Sequence, residues 1–106
     1  MLGKMAILVI SENYITDVIS ANLICPPDSG RIKSYSKEDI KEMTKDVAVG
    51  VSGNMHMVER HLAIVNWHLD HGFTFLAPGI KRSGDGMIAT RIYMRTPVKP
   101  DVEVKL

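Results

Sequence analysis

Met87-Ile88-Ala89-Thr90-Arg91-Ile92-Tyr93-Met94-Arg95 is the stretch whose reading decides the fold. Side chains alternate along a strand, so Ile88, Thr90, Ile92 and Met94 share one face and Met87, Ala89, Arg91, Tyr93 and Arg95 share the other. The first set reads as the core face. The second aims two guanidiniums and a phenol in one direction. Arg91 and Arg95 stand about 13 Å apart at strand spacing, a span that suits two phosphates of one ligand.

Upstream, residues 73–77 read as a strand and 81–86 as a turn. A helix spans about residues 55–69 and ends at His71-Gly72. At about 100° per residue, Val58, Leu62, Val65 and Leu69 line up as its core stripe. Trp67 then falls on the opposite side with Ala63 and Arg60, as a packing or dimer contact. His61 and His68 lie seven apart on a flank of the stripe. Two helical turns separate them by about 10 Å, too far for one metal ion, so they read as partly buried side chains.

Farther upstream, residues 47–51 form an apolar run that reads as a central strand. Ser36 and Asp39 stand at capping-box spacing and start a helix to about residue 45, with Tyr35 and Ile40 at the staple positions. Residues 5–10 are apolar on both alternate sets, as in a strand covered on both faces. Residues 11–24 suit a helix by Ile15, Val18 and Ile19, or a strand by their β-branched content. Residues 26–30 form a turn, 31–35 a short strand, and the alternation of Val102, Val104 and Leu106 an edge strand. The expected fold is α/β: a single-domain mixed β-sheet of about five strands with two or three helices on it, over residues 1–106.

The chain has 106 residues, 45% of them apolar, and a net charge of +1. That suits one small domain and excludes a barrel enzyme of about 250 residues. The neutral balance argues against a binder of long nucleic acid. The longest apolar run is far short of the roughly 20 residues that span a bilayer, and no signal-peptide pattern appears. Cys25 is the only cysteine; an internal disulfide is excluded, and a buried, inert thiol in the cytoplasm is expected.

Ser52, Gly53 and Asn54 mark the junction into the long helix. Small residues there leave backbone N–H groups free at the positive end of the helix dipole, which favours an anion. His56, in the first turn, is placed to act as a general acid on a bound phosphate. Residues 71–99 hold five Lys or Arg and one acidic residue, a local excess of four positive charges. No ligand spacing among the four histidines supports a metal, and no cofactor is called for.

The stretch Val49-Gly50-Val51-Ser52-Gly53-Asn54-Met55-His56, then Gly84-Asp85, then Arg91-Ile92-Tyr93-Met94-Arg95, resembles the viral ring nucleases that act as type III anti-CRISPR proteins. The resemblance spans roughly residues 36–96. It implies a homodimer that binds cyclic oligoadenylate across two subunits in the host cytoplasm, countering nucleotide-based immune signalling. It also implies His56 as the acid in metal-independent cleavage and Arg95 as a phosphate grip. Arg91 stands where the family has glutamine, and Asn54 where it has histidine. A protein with the grip but not the acid would sequester the nucleotide. The alternative expectation is a non-catalytic protein–protein interaction module of a virus or mobile element, acting through Trp67 and the terminal strand.

Overall fold

A computed structural model describes residues 3–25, 31–48 and 53–97. Among these residues, five strands and two helices form in the order β1 (Met5–Asn13), β2 (Val18–Ile24), β3 (Ile32–Ser34), α1 (Lys37–Met43), α2 (Gly53–Asp70), β4 (Thr74–Gly84) and β5 (Met87–Arg95). They build one sheet, β3-β2-β1-β5-β4. The α/β architecture is as the sequence predicts. The strand directions are not: every neighbouring pair is antiparallel. Parallel neighbours need a crossover between adjacent strands. Here the helical segment links the two opposite edges, β3 and β4. Val47 and Ala48, the start of the expected central strand, lie outside any strand. Its remainder, like the turn at 26–30 and the terminal strand, falls outside the described residues.

The ambiguous segment 11–24 resolves as strand. The Oδ1 of Asn13 accepts the N–H groups of Ile15 (3.0 Å) and Thr16 (3.1 Å), and Asp17 takes φ 57°. Asp tolerates that left-handed conformation, which reverses the chain into β2. At the other hairpin, Asp85 (φ 50°) and Gly86 (φ 76°) both sit at positive φ, the two-residue turn whose twist matches flanking strands. The turn is tighter than the expected 81–86, because β4 runs on to Gly84. Pro78 is tolerated in β4 because that strand is an edge with register shifts. Gly86→Ala puts a Cβ 2.5 Å from Ile15 Cδ1 and forces alanine into a left-handed conformation. The expected cost is about 1 kcal/mol, since Ile15 is exposed and can swing aside. An unchanged urea midpoint would refute this.

One face of the sheet carries the core. Ala6, Leu8 and Ile10 of β1, Ala21 and Leu23 of β2, and Ile92 and Met94 of β5 are buried there against Ile40 and Met43 of α1 and Met57 and Ile64 of α2. Each large aliphatic group so buried contributes roughly 1.5–3 kcal/mol. The expected capping box starts α1: Ser36 Oγ accepts the Asp39 N–H, and the Asp39 carboxylate accepts the Ser36 N–H, both at 3.1 Å. His71-Gly72 ends α2 as predicted. Phe73 N–H reaches His68 O (3.0 Å) and Gly72 N–H reaches Leu69 O (3.2 Å), with Gly72 at φ 90°. This closure turns the chain directly into β4.

The buried side of α2 differs from the expectation. Met57, Ile64 and His68 are buried and His61 is mostly so, whereas Val58, Leu62 and Leu69 are exposed. Both stripes run at helical spacing. The one bearing histidines faces inward because Glu12 of β1 and Tyr35, just after β3, give His61 and His68 polar partners there. Trp67 consequently leans against the core as a half-buried side chain, not on the far side of the helix.

Candidate functional site

The helix start holds part of the expected anion site. Gly53 and Asn54 are the first two residues of α2; Ser52 lies outside the described residues. His56 is half-buried, and its Nδ1 is buried with no hydrogen-bond partner among them.

The arginine row stands elsewhere. Ile92 and Met94 enter the core beneath the helices, so strand alternation sends Arg91, Tyr93 and Arg95 to the opposite face. Arg91 is exposed there, while Tyr93 and Arg95 are half-buried. The Arg95 guanidinium donates to the Gly3 carbonyl at 3.0 Å. The two features also lie towards opposite ends of the sheet. Arg95 is paired with Met5, whereas the N-terminal half of α2 is tied through His61 to Glu12, beside the pair of Asn13 with Met87. The expected convergence of helix start and arginine row on one ligand therefore does not form within one chain. The cause is legible in β5 itself: once its aliphatic set faces the helices, its arginines cannot.

The structure instead joins His61, partly buried as the sequence predicts, to Glu12 and Tyr14, which the sequence reading passed over. Glu12 continues the inward series Ala6, Leu8, Ile10 on β1 and is 4% exposed. Its Oε1 lies 2.7 Å from His61 Nδ1, and its Oε2 accepts the Tyr14 hydroxyl at 2.9 Å. That bond raises the Tyr14 pKa, because losing the proton would set a phenolate against the carboxylate. A buried carboxylate is tolerated only when partnered. A charged residue in phase with an apolar alternation was the signal available for it. Nearby, Arg60 reaches the Asp17 carboxylate at 3.6 Å, a weak tie because Asp17 is largely solvated.

The other end of α2 carries an aromatic cluster. Tyr35 donates to His68 Nε2 at 2.8 Å, and His68 Nδ1–H donates to the Ile64 carbonyl at 2.8 Å. Burial lowers the His68 pKa and pushes Tyr35 up to about 12. Phe73 and Trp67 meet the His68 ring edge-on at 5.1 and 5.0 Å. His61 and His68 thus serve separate networks. Cys25 is buried, and burial raises its thiol pKa.

No described helix is long and apolar enough to cross a membrane. No family model matches the chain, and no curated protein or solved structure matches it either.

Proposed function

We propose that the chain captures a phosphate-rich nucleotide on the outer face of its sheet. Arg91 and Arg95 take phosphates and Tyr93 offers its ring to a base. The observation that carries this reading is the row itself: two guanidiniums flank a phenol on a sheet face that no described helix covers, and no carboxylate among the described residues bridges either arginine. Aromatic stacking beside a cationic track is a general way to hold nucleotides without metal. Gly79 on β4 makes room for the Tyr93 ring, since a Cβ there would come within 2.7 Å of Tyr93 Cε2.

The ring-nuclease resemblance makes a cyclic signalling nucleotide such as cyclic oligoadenylate the first ligand to test. Capture without cleavage is the form favoured here, because His56 sits on the other side of the sheet from the arginines. Cleavage would need a second copy to supply His56 to the same ligand, which is where a homodimer would enter. The test is calorimetric titration with a panel of cyclic oligoadenylates and cyclic dinucleotides. Arg91→Ala, at an exposed position, should weaken binding by about 1–3 kcal/mol, and added salt should weaken it in the wild type. His56→Ala should leave binding intact. Absence of heat and of thermal shift with every ring would end this reading.

A further inference from the structure

A groove of about 750 Å³ lies on the helical side, between the end of α1 and the side of α2 that bears Leu62, Ala63 and Trp67. Its floor is apolar, formed by Met43, Val47, Leu62, Ala63 and Trp67. Leu62 is 49% exposed. Four acids stand around this floor: Glu42, Asp46, Glu59 and Asp70. Lys45 bridges Glu42 at 2.8 Å; no cation bridges the other three among the described residues. A chain with a net charge of +1 has thus gathered negative charge around exposed hydrocarbon.

We propose that this groove receives a cationic amphipathic helix from a partner protein. Exposed apolar floors rimmed by polar groups mark binding surfaces. Residues 59–71 of the groove wall extend about 18 Å at helical rise, the length of three turns of a docked helix. Such a helix would insert apolar anchors at i, i+3 or i+4, and i+7, with Lys or Arg on its flanks meeting the acids. Charge decides against a second copy of this chain. A two-fold dimer presents the same patch to itself, and here acid would face acid. The site is independent of the arginine row, which projects from the other face of the sheet.

Trp67 is the only tryptophan and lines the floor, stacked on His71 at 3.9 Å, so its emission reports occupancy. The probes are two synthetic 14-residue helical peptides with one leucine pattern and no tryptophan. One carries lysine at its polar positions and the other glutamate. The lysine peptide is expected to bind one-to-one and to shift the Trp67 emission. The double substitution Glu59→Lys, Asp70→Lys and the single Leu62→Ser should each weaken it at least about tenfold, a loss of about 1.4 kcal/mol. Arg91→Ala should not. These groove positions are exposed, and circular dichroism confirms the fold of each variant. Failure of the lysine peptide to bind, equal binding of the glutamate peptide, or indifference to the charge reversal overturns the proposal. So does self-association of the chain that Leu62→Ser abolishes.

Discussion

His61→Leu should destabilise the fold by about 3 kcal/mol, the upper end of the range for a buried acceptor that loses its hydrogen-bond partner. The upper end applies because Glu12 keeps only 5% of its side chain in solvent, although His61 keeps 21%. Leucine fills much of the imidazole's volume, so lost packing is small. What remains is a carboxylate on the core face of β1, held only by the Tyr14 hydroxyl. Small domains hold together by about 5–15 kcal/mol in total, so urea unfolding will register the change clearly. The double variant Glu12→Leu, His61→Leu should recover a large part of the loss, because it removes the stranded charge along with its partner. A single variant that unfolds at the wild-type urea concentration would refute the coupling of β1 to α2 through this pair.

The second large effect sits at the other end of α2. His68→Ala should cost about 3–5 kcal/mol, comparable to truncating a buried aromatic ring, since Tyr35, Trp67 and Phe73 all meet its imidazole. Tyr35→Phe is milder, about 1–3 kcal/mol, because it only removes the donor to a buried acceptor. His68 also makes stability depend on acidity. Its folded pKa lies below the ordinary 6.5 because burial disfavours the imidazolium. Between that lowered value and 6.5 the unfolded chain holds more protons than the folded one. The contribution of neutral His68 is therefore complete above pH 6.5 and drains away as the pH falls from there towards the folded value. Urea midpoints taken between pH 7.5 and 5 should fall more steeply for wild type than for His68→Phe. Parallel curves would show that His68 titrates normally.

Local chemistry in this sequence was legible where one short signal sufficed. The Ser36–Asp39 box, the Gly after His71 and the alternation of β5 each specify their own backbone, and each appears as read. The face of α2 was not legible from spacing. Val58, Leu62, Val65 and Leu69 make the more hydrophobic stripe, yet Met57, His61, Ile64 and His68 face the sheet. Periodicity counts histidine as polar and cannot know that Glu12 and Tyr35 wait across the interface. Satisfying a buried carboxylate outweighs the burial of two or three more aliphatic groups that keep part of their contact area at the surface. The same error placed Trp67 outside. The separation of the helix start from the arginine row was missed for a related reason. Both halves were read singly, and the β5 alternation that turns Arg91 and Arg95 away from the helical face was not set against the position of the helix start. The segment 11–24 was ambiguous because β-branched residues and helical spacing coexist there. The partner strand broke the tie, since β1 offers β2 seven consecutive pairs from Ile7–Ile24 to Asn13–Val18.

The centre of the sheet joins Met5 to Arg95, and this sets a timetable for assembly. As the chain leaves the ribosome, β1 and β2 can close early, but the inner edge of β1 has no mate until β5 is made. At synthesis rates of about 5–20 residues per second, that edge waits for several seconds with its N–H and C=O groups open. Another nascent chain could zip onto it during the interval, so yield in a cell should depend on translation speed and chaperone supply more than the stability of the finished molecule would suggest.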